Sequence, residues 1–225
     1  MKGMIGWLAL GIAVAGMAGT QSVSAAEAQL MSYGNASLEL YRPVLDQYNT
    51  ALFEQWSMQE YQAAGLCPLF AYFTNPSQVG FWLEDVDYNG TEELLIGEIG
   101  DSGEYAGMFF EMYTVIDGAP VLMASSTERS RYYLCTDGNV ANEGSGGASQ
   151  SICAYYMADS DHGVLTLTEA VIYDEAQGEE TPWFYSRTGT SVSDCTPIME
   201  EDAAEIMDSH EYEAIEYIPF AEYEV

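Results

Sequence analysis

Positive charge is almost missing from this chain. Lysine and arginine together number five against 36 aspartates and glutamates, which leaves a net charge of −31. The one lysine is Lys2, and the arginines are Arg42, Arg129, Arg131 and Arg187. That balance argues against nucleic acid, anionic lipid and anionic wall polymers as partners, because each is held through lysine and arginine contacts. Histidine is nearly as scarce, with only His162 and His210. Neither C-x-x-C nor C-x-x-H spacing occurs, so a zinc site is not expected. No apolar run reaches the ~20 residues that a membrane-spanning helix needs. Apolar residues are nonetheless abundant, at 48 % of the chain, and regularly patterned. That content separates the sequence from acidic chains that stay disordered.

The longest apolar run, Ile5 to Ala18, follows Lys2 and precedes small and polar residues ending Val23-Ser24-Ala25-Ala26. Charged, apolar and small segments in that order describe a secretory signal peptide, with cleavage expected after Ala25 or Ala26. Its removal takes Lys2 with it and leaves residues 27–225 as a single extracellular domain. Four cysteines, Cys67, Cys135, Cys153 and Cys195, suit an oxidising compartment and permit three pairings. Cys135 and Cys153 bracket the glycine- and serine-rich stretch Asn142 to Gln150, read as a loop. A disulfide across that stretch is expected, which leaves Cys67 to pair with Cys195. Four free buried thiols are the alternative.

The chemistry concentrates between residues 81 and 100, FWLEDVDYNGTEELLIGEIG. Asp85, Asp87 and Asn89 alternate, Gly90 follows, and Glu93 comes three residues later. Alternating oxygen side chains ahead of a glycine can curl inward around a hard cation, which takes six to eight oxygen ligands in the case of calcium. An EF-hand is excluded, because its twelfth position would be Ile96 and its flanks would be helices. Here the flanks Phe81 to Val86 and Leu94 to Ile99 read as strands. A plain hairpin is the competing interpretation, since Asn89-Gly90 is a strong turn signal by itself.

With Glu93 at the ninth position, the loop resembles the D-x-D-x-D-G-x-x-D hairpin of FG-GAP repeats in integrin-type propellers. The resemblance covers about ten residues and departs from the all-aspartate form at Asn89 and Glu93. It implies a structural calcium ion held by the side chains of Asp85, Asp87, Asn89 and Glu93, with the Thr91 carbonyl completing the set. A propeller is not implied, because only one such loop is present and no repeat of blade length is visible. The chain as a whole also resembles a loose group of uncharacterised secreted bacterial proteins, through YRPVLDQYNTAL, VDYNGTEELLIG, RSRYYLCTDGNVANEGSGGAS and TPWFYS. That likeness implies one domain and an extracellular address, and it brings no activity with it.

Elsewhere, Tyr41 to Trp56 carries an apolar stripe at spacings of three and four, with Pro43 placed as a first helical residue. A short helix over Met58 to Ala64 should stop at Gly65. Asp117-Gly118 joins two strands, Met108 to Ile116 and Pro120 to Ser126. Arg131 to Thr136 is a further strand, and residues 159–163 join another strand pair, Ser151 to Ala158 with Val164 to Asp174. Thr181 to Ser186 is a short strand, and Thr196-Pro197 should start a helix running to Ser209. Tyr212 to Val225 reads as an edge strand or a docked tail. The fold class is α+β: an antiparallel meander packed with N-terminal helices and one C-terminal helix.

These features suit a secreted acidic binding or interaction module with a calcium hairpin. Its ligand would be a carbohydrate or a peptide, met by aromatic side chains such as Trp82 and Trp183. A secreted hydrolase with a carboxylate pair is the alternative, and Glu98, Asp101 and Glu104 are its first candidates. Gly-Asp-Ser102-Gly and Gly-Ser145-Gly-Gly do not make a serine protease, because both histidines follow both serines. His162 reads as a turn residue and His210 as a helix C-terminal residue.

Overall fold

A computed structural model describes residues 35–100, 102–177 and 180–223. The leader expected over residues 1–26 and the acidic Asp101 lie outside them. Helix α1 (Asn35–Glu54) buries Tyr41, Leu45, Tyr48 and Leu52, the stripe visible in the sequence. It begins two turns earlier than Pro43 suggests, and Pro43 lies inside it. An interior proline forfeits one backbone hydrogen bond, a loss offset by the packing of that stripe. Helix α2 (Met58–Ala64) is bounded as expected. Ser57 and Glu60 form a reciprocal capping box, and Gly65 closes the helix at φ 76°, a conformation glycine adopts without strain. Pro68–Tyr72 then makes a short 3-10 turn.

Eleven strands follow among the described residues: β1 (Val79–Glu84), β2 (Glu93–Glu98), β3 (Phe109–Ile116), β4 (Ala119–Ser125), β5 (Ser130–Leu134), β6 (Asn139–Gly147), β7 (Gln150–Asp159), β8 (Val164–Asp174), β9 (Trp183–Ser186), β10 (Thr196–Ile198) and β11 (Ile218–Pro219). All pair antiparallel in one sheet of order β10-β9-β8-β7-β6-β5-β3-β2-β1-β11, and β4 adds to β3. The β3–β4 turn places both Asp117 and Gly118 at positive φ, as a tight hairpin requires. Helix α3 (Glu200–Asp208) is the single C-terminal helix. The architecture is therefore the α+β meander with flanking helices that the patterning indicates.

Two cores lie on opposite sides of the β1–β3 region. Val79, Phe81, Leu83, Leu94 and Ile96 pack under α1, α2 and the 3-10 turn, with Phe70 at the centre of an aromatic group. Phe70 stands 4.4 Å from Tyr48 and 5.3 Å from Phe110, measured between ring centres. Leu95, Phe109, Met112, Leu134 and Val140 build the second core. The C-terminal tail docks firmly: β11 pairs with β1, and Tyr217, Ile218 and Phe220 are buried. A side chain at Gly80 would collide with the Ile218 carbonyl, so this close approach depends on glycine.

Three expectations are corrected here. The stretch from Asn142 to Gln150 is largely strand β6 running into β7, not a loop. Its glycines leave room for neighbours such as Ile152, which stands where a Gly144 side chain would be. Thr196 and Pro197 belong to β10, and α3 starts only at Glu200, because those residues pair with β9. The disulfides are absent: all four cysteines are free. Cys135 bonds to Asn139 and Cys153 pairs with Glu143, so β6 runs between them. Two strand spacings, roughly 9–10 Å, exceed the ~7 Å within which Cα atoms can be bridged. Cys67 lies in the helix-side core, whereas Cys195 precedes β10 at the far edge of the sheet.

Candidate metal centre

Strand β1 ends at Glu84, which pairs with Glu93, and residues 85–92 connect the two strands. Asp85, Asp87, Asn89 and Glu93 each accept a backbone N–H of this connection through a side-chain oxygen. Asp85 Oδ2 accepts the Gly90 N–H at 3.0 Å, and Asp87 Oδ1 accepts the Asn89 N–H at 3.2 Å. Asn89 Oδ1 accepts the Thr91 N–H at 2.7 Å, and Glu93 Oε2 accepts the Val86 N–H at 3.0 Å. Gly90 takes φ 92°, which the turn demands and other residues resist. Tyr88 also lies at positive φ, 58°, with its side chain 81 % exposed.

The consequence is a carboxylate cluster. One oxygen from each of Asp85, Asp87 and Glu93 falls within 4.8 Å of the others. Asn89 adjoins the cluster, its amide 3.4 Å from Asp87 Oδ2, and Thr91 follows the glycine turn. Glu93 is fully buried, and that burial pushes its carboxyl up to about 7 despite bonds that favour ionisation. Asp85 Oδ1 is a buried oxygen with no hydrogen-bond partner. A buried polar oxygen without a hydrogen-bond partner is costly, and a bound cation supplies what it lacks.

Two supporting residues lie far away in sequence. Thr114 of β3 donates to Glu93 Oε1 at 3.3 Å, and the Ser160 N–H of the β7–β8 turn donates to Asp87 Oδ2 at 2.9 Å. The Ser160 hydroxyl is buried beside Glu93 without a well-formed bond of its own. Sequence reasoning passes over both residues, because contacts 21 and 73 positions apart leave no local signal.

No protein-family model, curated protein or solved structure matches this chain. The reading of the site therefore rests on its own geometry.

Among the described residues, Glu98, Glu104, Ser145, His162 and His210 have partners of their own. Glu98 accepts the Tyr105 N–H at 2.9 Å, with Gly103 against its carboxylate. Glu104 stands 3.9 Å from Arg131. Ser145 exchanges hydrogen bonds with Gly147. His162 holds Asp159 at 2.7 Å within the β7–β8 turn. His210 does more than close a helix: its two ring nitrogens face Asp137 at 2.7 Å and Glu169 at 3.2 Å, and its ring stacks on Tyr155. Burial works against Asp137, yet bonds from Asn139 and His210 hold its carboxyl below the usual range. Trp82 packs against both cores, while Trp183 lines a groove of about 800 Å³ near α3. Among the described residues no helix is long and apolar enough to cross a membrane.

Proposed function

We propose that the loop from Asp85 to Glu93 binds one calcium ion as a structural element of a secreted binding module. The buried, partnerless Asp85 Oδ1 within a cluster of three carboxylates carries this reading. The donors available are all oxygens, the choice of hard cations, and the cluster holds neither the imidazole nor the thiolate that zinc prefers. In the FG-GAP-type assignment, Asp85, Asp87, Asn89 and Glu93 supply side chains and Thr91 its carbonyl. The ion would neutralise carboxylates that repel one another when the site is empty. It would also fix the loop against the β7–β8 turn, because Asp87 already bonds to Ser160.

An extracellular address, supported by the leader-like order of residues 1–26, places the loop in millimolar calcium. Loops in extracellular modules bind calcium with dissociation constants of about 10⁻⁴–10⁻³ M. At ~2 mM calcium and a constant of ~0.1 mM, linkage stabilises the fold by about 1.8 kcal/mol. Magnesium stabilises less, since it demands stricter octahedral geometry and dehydrates reluctantly. The test compares thermal melts of wild type and Asp87→Ala in calcium, magnesium and chelator. The reading requires a calcium-specific rise that the variant lacks; equal rises in both proteins would reduce the loop to a hairpin bathed in diffuse counterions.

A further inference from the structure

Among the described residues, three buried side-chain oxygens lack a hydrogen-bond partner: Asn49 Oδ1, Asp85 Oδ1 and Ser160 Oγ. Two of the three meet at the carboxylate cluster. Asp85 is a member of it, and Ser160 lies against both other members. The Ser160 N–H donates to Asp87 Oδ2 at 2.9 Å, and the hydroxyl sits beside Glu93 without a well-formed bond. A hydroxyl buried with nothing to bond costs free energy. Ser160 is 1 % exposed, so bulk water does not relieve that cost. The residue is nonetheless fixed in place. Its carbonyl accepts the Gly163 N–H at 3.3 Å and the Thr114 hydroxyl at 3.4 Å, which anchors it in the β7–β8 turn.

Resting on the calcium reading above, we propose that the Ser160 hydroxyl is a further ligand of the ion, so that the site is shared between the β1–β2 connection and the β7–β8 turn. Four loop side chains and the Thr91 carbonyl give five oxygens, whereas calcium takes six to eight. Water can complete the shell on the outer side, where Asn89 is exposed. On the inner side Glu93 and Thr114 are 0 % exposed, and the protein itself has to provide the remaining oxygen. The Ser160 hydroxyl is the unengaged one there. Having two lone pairs and one proton, it can face the ion with a lone pair and still offer its proton to Glu93. It is a hard, neutral donor, and it brings no fourth negative charge to three carboxylates. In the sheet β3, β5 and β6 stand between β2 and β7, so contact between the two turns requires the sheet to coil. An ion bound by both turns holds that coil together.

The experiment titrates calcium by calorimetry into wild type, Ser160→Ala and Ser160→Cys, and cadmium, a soft ion of similar size to calcium, into wild type and Ser160→Cys. Ser160→Ala should weaken calcium about tenfold or more, as loss of a group from a metal's ligand shells does. Its melting temperature in chelator should stay close to that of wild type, because the hydroxyl removed has no partner to lose. Ser160→Cys should bind calcium as poorly as Ser160→Ala but cadmium about tenfold or more tighter than wild type, since thiolates select soft metals. At one equivalent of cadmium it should show an ultraviolet thiolate-to-cadmium charge-transfer band. Wild type, with its own four cysteines, should lack that band, and adding Asp87→Ala to Ser160→Cys should abolish it. Unchanged calcium affinity in Ser160→Ala, or neither tighter cadmium nor the band in Ser160→Cys, would overturn the proposal and leave the calcium reading standing. Failure of wild type to bind calcium would overturn both.

Discussion

Replacing Glu93 with glutamine separates the stability of the loop from its capacity to hold a cation. Glu93 is 0 % exposed, and burial moves its carboxyl from 4.5 up to about 7. In metal-free protein the native state therefore holds the Glu93 proton more tightly than the unfolded chain does. This contribution to stability is full below about pH 4.5 and is lost as pH rises through about 7. Ionising the buried group costs about 3 kcal/mol across that interval. Glutamine keeps the shape and an acceptor for the Val86 N–H, yet brings no charge to bury. In chelator at pH 8 the E93Q protein should be more stable than wild type by up to about 3 kcal/mol. For a chain of this size that raises the melting temperature by several degrees, at about 2–4 °C per kcal/mol. The same variant should bind calcium more weakly, having lost a charged ligand. A gain in metal-free stability coupled to a loss of binding marks a residue kept for a ligand. Calorimetric melts of both proteins from pH 4.5 to 8 in chelator provide the assay. If the difference between them does not change with pH, or E93Q melts at or below wild type at pH 8, the reasoning fails.

Three further outcomes follow from the fold. Phe70→Ala should cost about 3–5 kcal/mol in urea unfolding, whereas Phe53→Ala, at a position 65 % exposed, should change stability little. His210→Ala should cost about 2–4 kcal/mol, because it strips Asp137 and Glu169 of a shared partner and removes the stack on Tyr155. Thiol titration without reductant should count four cysteines in denaturant. In native protein Cys195 should react first, since the other three are buried and burial pushes the Cys67 and Cys135 thiols up to about 12. Fewer than four thiols in denaturant would contradict the free-cysteine structure.

Much of this fold is legible where the signal is local. Asp117-Gly118 and the apolar runs around it define a hairpin that the structure reproduces, and Gly65 ends α2 where expected. The alternation of Asp85, Asp87 and Asn89 before Gly90 likewise marks a loop whose acids converge. Signals fail where tertiary pairing outweighs propensity. Strand β6 is rich in glycine and serine, yet β5 and β7 impose an extended backbone on it through their ladders. Pro43 is tolerated inside α1 because Tyr41 and Leu45 are buried on either side of it. The cysteine pairing could not be read, since it depended on taking β6 for a loop. The contact of Ser160 with Asp87 and the clamp on His210 join segments more than 40 residues apart, which spacing along the chain does not encode.

Calcium titration by isothermal calorimetry, at low ionic strength and again in ~0.15 M salt, tests the central claim most directly. Salt screens diffuse attraction to a surface of charge −31 far more than it weakens a coordinated ion. The account predicts one site per chain in both conditions, with a dissociation constant of about 10⁻⁴–10⁻³ M, abolished by Asp85→Ala and by Asp87→Ala. Heat that vanishes in salt, or a saturable site that persists unchanged in both variants, would contradict it.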